Sequence, residues 1–401
     1  MLYRKMPKNG DELSILGFGC MRLPMLAGKI DEPRAIAQIR QAIENGVNYL
    51  DTAWPYHGGA SEPLLGRALQ DGYREKVRVA TKLPSWLVTS REEMDRLLNA
   101  QLERLGTDHI DYYLIHTLDG PLWDKLAALG VGDFLDQALT DGRIRNAGFS
   151  FHGLGADFPR IVDGYPWTFC QIQYNYLDRE YQAGESGLKY AAAKGLGVIA
   201  MEPLRGGNLA LPTPPPAVAE LWNQAPIKRT PVAWALSWVW NHPEVTLLLS
   251  GMNEEAHIAE NLALADAAYA NSLSGAELEL VDRVAGTYRN LMQVDCTGCG
   301  YCMPCPAGVQ IPGCFDVYNK MHMFKNVEEA GFIYALRMCD GLISSKSGYA
   351  SQCVSCGACV EKCPQHIPIP QILAKVAAEL EGPALQQRLE AVLPLFTAKP
   401  K

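Results

Sequence analysis

Between residue 13 and about residue 265, short β-branched or apolar runs alternate with longer stretches of helical period, which limits the fold more than any other feature of the chain. The runs are ILGFG (15–19), VNYLD (47–51), VRVATK (77–82), IDYYLIH (110–116), IRNAGFS (144–150), FCQIQYN (169–175), GVIAM (197–201) and VTLLLSG (245–251). Helical patterns fall between most of them. One runs from about Glu32 to Asn45 with Gly46 at a C-cap position, and others are SREEMDRLLNAQLERLG and TPVAWALSWVWNH. Eight short strands alternating with helices predict an α/β chain folded as a (β/α)8 TIM barrel. A doubly wound sheet is the competing reading. It calls for G-x-G-x-x-G after the first strand, and GFGCMR does not supply it. LPTPPP (211–216) reads as a surface loop within the barrel.

Beyond residue 267 the character changes. Residues 267–292 predict a helix leading out, with Ser274 as cap and Glu277 three residues on. Two cysteine windows follow: Cys296, Cys299, Cys302, Cys305 and Pro306 in the first; Cys353, Cys356, Cys359, Cys363 and Pro364 in the second. The second is the C-x2-C-x2-C-x3-C-P run of [4Fe–4S] proteins, in which three thiolates hold one cluster and the fourth ligates the other. Structural zinc is the alternative, but it usually takes two separated pairs of ligands. Disulfides suit oxidising compartments and small scaffolds. Crossed ligation would assign Cys296, Cys299, Cys302 and Cys363 to one cluster, and Cys353, Cys356, Cys359 and Cys305 to the other. The first window departs from the pattern: Cys302 and Cys305 are separated by two residues, not three.

The segment between the windows is helical in character, and QILAKVAAELEG reads as a closing amphipathic helix. Residues 1–285 are therefore expected to form the barrel and 286–401 a smaller, mainly helical, ferredoxin-like domain. The charge agrees: residues 286–401 carry 10 Lys/Arg against 9 Asp/Glu, and the first 285 carry 26 against 35. A net charge of −8 argues against nucleic acid or an anionic membrane as a main partner. The start, MLYRKMPKNGDELS, has no apolar signal region, and no uncharged apolar run reaches 18 residues. A reducing cytoplasm is the expected location.

In such a barrel the reacting groups lie at the C-terminal ends of strands. Asp51, Lys82 and His116 end three consecutive apolar runs, and Tyr56 follows Asp51 in DTAWPYHGG. Singly, each has a structural explanation as an ion pair or a satisfied core group; in register they predict a proton relay. The aspartate holds the lysine charged, the ammonium lowers the tyrosine pKa, and the histidine orients a carbonyl oxygen.

DTAWPYHGGASEPLLGRAL, VATKLP, DYYLIH and GMNEEAHIAEN resemble the signatures of the aldo-keto reductase family over about residues 10–265. With its two cysteine windows, the chain resembles the subgroup that carries a C-terminal 4Fe–4S domain. The resemblance implies a catalytic tetrad of Asp51, Tyr56, Lys82 and His116, with Tyr56 as general acid. It implies an NAD(P) site in which Ser150 and Gln171 hold the nicotinamide amide and Met201 lies against its ring. Leu204 and Gly206 would pass the pyrophosphate, with Gly251, Glu260 and Asn261 on the adenosine side. Phe151 stands where many members have Asn, and Met201 where an aromatic often stacks. No Lys or Arg occurs between Gly251 and Asn261 to meet a 2′-phosphate, which leaves NADH and NADPH both open, with Arg205 as a cation from another loop.

The expectation is an NAD(P)-dependent oxidoreductase of a small-molecule carbonyl or alcohol, with two [4Fe–4S] clusters that pass electrons to a redox protein partner. Hydride moves two electrons and a cluster one, and flavin is the usual converter; no flavin motif appears, although a barrel can bind flavin mononucleotide without one. Two other readings make the clusters structural staples, or the barrel silent and the chain an electron-transfer subunit. Cys20, Cys170, Cys314 and Cys339 are expected to pack as small apolar residues, with Cys314 an alternative ligand and His366 a hydrogen-bond partner near a cluster.

Overall fold

The computed structural model describes residues 1–296, 298, 300–338, 347–363 and 365–397, with side chains through residue 391. Cys299, Cys339 and Pro364 lie outside the described residues. Eight strands close a parallel barrel, numbered here in chain order: β1 (Leu16–Gly19), β2 (Tyr49–Asp51), β3 (Arg78–Leu83), β4 (Ile110–Leu118), β5 (Ile144–Phe151), β6 (Phe169–Gln173), β7 (Gly197–Met201) and β8 (Val245–Ser250). Each pairs with its sequence neighbours, and β8 closes on β1 through Ser250 and Phe18. Almost every strand residue is buried, because helices cover the outer face while side chains fill the lumen.

Tyr49, Ala80, Tyr112, Leu114, Phe169, Ile199, Leu247 and Leu249 form the lumen core, with Met201 packed against it. Sequence reading missed its floor. Tyr3–Lys5 and Glu12–Ser14 form an antiparallel hairpin whose Met6 joins the same core. The Met6 sulfur sits 2.0 Å from where a Cβ on Gly197 would lie, so a larger residue at the start of β7 would force the Met6 side chain to move.

The outer helices follow their capping chemistry. Asp31 caps Glu32–Glu44 through the Arg34 amide, and the helix Arg91–Leu105 ends on Gly106 at φ 62°. Ser274 and Glu277 form the expected reciprocal box at the start of Gly275–Arg289: Ser274 N donates to Glu277 Oε2 at 2.8 Å and Glu277 N to Ser274 Oγ at 3.3 Å. The proline-rich stretch is a loop only to Pro215; Pro216 begins a helix to Asn223, where proline in the first turn costs no hydrogen bond.

The chain divides into two compact units, one of residues 1–214 and 222–282, the other from 283 onward together with 215–221. The second unit is helical: Ile311–Phe324, Val327–Met338, Ile369–Leu380 and Pro383–Thr397. The last of these corrects the expectation that QILAKVAAELEG closes the chain. Val309, Ile311, Phe315, Tyr318, Leu373 and Val376 are among its core residues, and the cysteine loops pack on that core. Asn319 fixes the approach to the first window: its Oδ1 accepts from Gln293 N and Val294 N, and its Nδ2 donates to Val294 O at 2.7 Å. Among the described residues no helix is long and apolar enough to cross a membrane.

Candidate active site and cluster-binding region

The strand ends bring the four expected catalytic residues into one place. Asp51 ends β2 and pairs in register with Ala80 of β3, which puts Lys82, two residues on, beside it. Lys82 Nζ donates to Asp51 Oδ1 at 2.7 Å, to Oδ2 at 2.8 Å and to the Thr52 carbonyl at 2.8 Å. The Tyr56 hydroxyl lies 3.5 Å from the same nitrogen. The His116 ring packs edge-on to Tyr56, centroids 6.3 Å apart, and against Trp86 at 5.3 Å.

Burial opposes charge throughout this group. It lifts Asp51 above the usual carboxylate range, although the Lys82 ammonium pulls the other way. Desolvation also acts against charge on Lys82, but Asp51 and Tyr56 outweigh it and hold the lysine above its ordinary value. Burial, then Lys82, then His152 push His116 well below the ordinary histidine value, so the ring is neutral. Tyr56 corrects an expectation. The ammonium does lower its pKa, but burial is the larger effect and the net direction is upward. The phenol is therefore protonated at neutral pH, as a proton donor must be.

The residues expected at the nicotinamide end also converge. Gln171 of β6 pairs in register with Ser150 of β5, and its Nε2 lies 3.5 Å from the Met201 sulfur at the end of β7. Its Oε1 is buried without a hydrogen-bond partner, an acceptor free to meet an amide. Ser150 Oγ accepts from Thr117 N at 2.8 Å. Leu204 and Gly206 lie on the loop after β7, where Gly206 and Gly207 are left-handed at φ 70° and 100°. Gly251 is the first residue after β8, and Asn261 reaches back to Ser250 Oγ at 2.7 Å. Glu260 is turned to Thr230, whose hydroxyl it accepts at 2.6 Å. Arg205 is not a cation at this edge: it is buried and its Nε donates to Asp178 at 2.9 Å. Arg34 comes to the loop after β8 from the first helix, where it binds Glu255 at 2.6 Å and Glu254 at 2.5 Å.

In the second unit two small cavities open among the cysteines. Cys296, Cys302 and Cys363 line the first, with Ile311, Phe315, Ile367 and Ile369. Cys305, Cys353, Cys356 and Cys359 line the second, with Ile311, Pro370 and Leu373. Each draws on both windows in the crossed sense. Among the described residues no three His, Cys, Asp or Glu converge on a single-ion site. Thiols spread around an apolar cavity fit an iron–sulfur cubane better than one tetrahedral zinc. Burial is the chief cause that raises the Cys359 thiol, and Cys353, Cys305 and Cys356 add to it. Cys314 is fully buried against Tyr334 and Met338 and lines neither cavity. Cys20 and Cys170 are buried as expected.

Sequence reading passed over Glu62, Gln101 and Arg104, which lie buried or half-buried behind Lys82 and Tyr56. Glu62 stands within DTAWPYHGGASEPLLGRAL, but nothing in its spacing says that helices 61–68 and 91–105 bring the three together.

The model of the aldo/keto reductase family matches residues 15–284, two thirds of the chain and the whole barrel. The chain belongs to the aldo/keto reductase family. A 4Fe-4S dicluster domain matches residues 295–367, so this aldo/keto reductase carries an iron–sulfur domain after its barrel. L-galactose dehydrogenase of Arabidopsis thaliana is 27% identical over 310 residues, 72% of this chain and 95% of that protein. The thermostable aldo-keto reductase Tm1743, solved with the inhibitor epalrestat, shares 26% identity with a TM-score of 0.59, covering 71% of this chain and all of that one. Aldo-keto reductase AKR11C1 from Bacillus halodurans has the same fold, with a TM-score of 0.60 at 24% identity over 71% of this chain and 96% of its own.

Proposed function

We propose that this aldo/keto reductase interconverts a small-molecule carbonyl and alcohol with a nicotinamide dinucleotide, using Asp51, Tyr56, Lys82 and His116. One observation carries the reading: the half-buried Tyr56 hydroxyl lies 3.5 Å from a lysine that Asp51 grips with both oxygens. Lys82 stabilises the phenolate as it forms, Asp51 keeps Lys82 charged and oriented, and neutral His116 orients the substrate oxygen toward Tyr56. Ser150 and Gln171 would hold the carboxamide, with Met201 beside the ring and Leu204, Gly206, Gly251, Glu260 and Asn261 along the dinucleotide. When bound, the nicotinamide supplies a hydride and the [4Fe–4S] clusters supply one-electron transfer. The name of the Arabidopsis relative supports alcohol oxidation as one direction. NADH is favoured over NADPH, because Arg34 is shared between Glu254 and Glu255 and those carboxylates would repel a 2′-phosphate.

We assign residues 1–285 to this chemistry and 286–401 to two clusters, ligated by Cys296, Cys299, Cys302 and Cys363, and by Cys305, Cys353, Cys356 and Cys359. Electron exchange with a redox protein and a reducing, cytoplasmic setting belong to the same proposal. Tyr56→Phe tests it. Carbonyl reduction across a substrate panel should fall about 100-fold or more with iron content unchanged, and undiminished turnover would remove the reading.

A further inference from the structure

One fully buried carboxylate of the barrel lies outside the Asp51–Lys82–Tyr56–His116 group. Glu62, on the helix Ser61–Ala68, accepts from Thr81 Oγ1 at 2.7 Å and Gln101 Nε2 at 2.6 Å through Oε1, and from Arg104 Nη1 at 3.2 Å through Oε2. Both arms continue to the active site. Gln101 Nε2 also donates to the Lys82 main-chain carbonyl at 3.0 Å. The Arg104 guanidinium stacks on Trp54, 3.5 Å from the ring centroid, and lies beside Gly59, where a Cβ would meet its Nη1 at 3.8 Å. Trp54 and Gly59 are the two ends of the turn that carries Tyr56. Within that turn His57 and Gly58 are left-handed at φ 52° and 64°; it is held by single-turn bonds from Gly58 N to Pro55 O at 3.1 Å and Ala60 N to His57 O at 3.2 Å and by Leu23 N donating to His57 Nε2 at 3.1 Å, and Arg104 adds an anchor at its two ends.

We propose that Glu62 is a positioning residue that sets the distance between Tyr56 and Lys82, holding the lysine strand through Gln101 and the tyrosine turn through Arg104. The inference rests on the catalytic role given to that pair above. Its geometric logic is that an anchor shared by both partners removes their relative motion, and an error of about 1 Å at a reacting group costs about 100-fold in rate.

Two variants separate this from a merely structural role. Glu62→Gln keeps an acceptor for Thr81 and Gln101 but turns an amide donor toward Arg104. Arg104→Lys keeps the charge and loses the planar face over Trp54. In the full chain, purified anaerobically with its clusters, the Tyr56 titration is followed by NMR of ring-labelled tyrosine, assigned with Tyr56→Phe. Each variant should move the Tyr56 titration to higher pH as the ammonium recedes. Each should also lower kcat by about 10- to 100-fold while nicotinamide Kd stays within about twofold. If Tyr56 titrates unchanged and kcat per folded enzyme is unchanged in Arg104→Lys, the proposal is overturned, whatever the melting temperature does. Should Glu62→Gln fail to fold, Arg104→Lys decides alone. Full turnover by Tyr56→Phe would sink the catalytic reading instead, and the Tyr56 titration would still decide the positioning.

Discussion

Replacing Lys82 with methionine should destabilise the barrel in a way that depends on pH. The side chains of Lys82 and Asp51 are 1% and 4% exposed, and the ammonium serves both carboxylate oxygens and the Thr52 carbonyl. Methionine fills much of the same volume but leaves three buried acceptors without their donor. Breaking a buried pair on one side costs about 3–5 kcal/mol, which in a barrel of this size lowers Tm by about 6–20 °C. Without the ammonium, burial alone governs Asp51 and its folded pKa rises further above the unfolded value, near 3.9. Between those two values the native state binds more protons than the unfolded chain, so stability falls as pH rises and is regained as pH falls through the folded pKa. The deficit against wild type should therefore be largest at pH 8 and shrink toward pH 5. All eight tryptophans lie between residues 54 and 240, so urea unfolding followed by tryptophan fluorescence reports the barrel. The double variant Asp51→Asn/Lys82→Met should recover about half the loss or more, because no charge is left unpaired. A loss below about 1 kcal/mol, or one independent of pH, would mean that Lys82 does not hold a buried charge pair with Asp51.

Pairs of serine substitutions test the crossed ligation by iron count, against about eight irons in wild type. Cys305→Ser/Cys353→Ser should keep about four, and Cys305→Ser/Cys302→Ser should keep none, whereas uncrossed ligation gives the reverse. In steady-state assays NADH should exceed NADPH by about tenfold or more in kcat/KM, and Glu254→Lys/Glu255→Lys should narrow that ratio. His116 is held neutral, so below about pH 6.5 the unfolded chain takes up a proton that the native state refuses, and stability falls with pH. His116→Gln should flatten that fall by about 1.4 kcal/mol per pH unit between pH 6 and 5.

The barrel was legible because its strands are nearly all-apolar runs separated by capped helices. That pattern survives in one sequence without knowledge of what packs where. Its floor was not: Tyr3–Lys5 and Glu12–Ser14 are too short and too charged to announce a hairpin, and only Met6 lying against Gly197 shows their purpose. Asp51, Lys82 and His116 could be read because they lie within two residues of the C-terminal ends of their strands, and those ends share one face. The direction of the Tyr56 shift could not, since it depends on how much burial opposes one ammonium. Likewise nothing in the spacing of Arg205 announces that it pairs with Asp178 in the fold. The crossed cysteine grouping came from the C-x2-C-x2-C-x3-C-P pattern; Cys296, Cys302 and Cys363 line one cavity, and Cys305, Cys353, Cys356 and Cys359 the other.

Whether Tyr56 and its neighbours reduce substrate in the barrel is decided by following deuterium. Wild type and Tyr56→Phe of equal iron content are given nicotinamide deuterated at C4 and a carbonyl substrate, and the product alcohol is examined by mass spectrometry. One deuterium on the carbinol carbon is expected with wild type and almost no product with the variant. Deuterium lost to water, or an equal yield of labelled alcohol from Tyr56→Phe, would contradict that expectation.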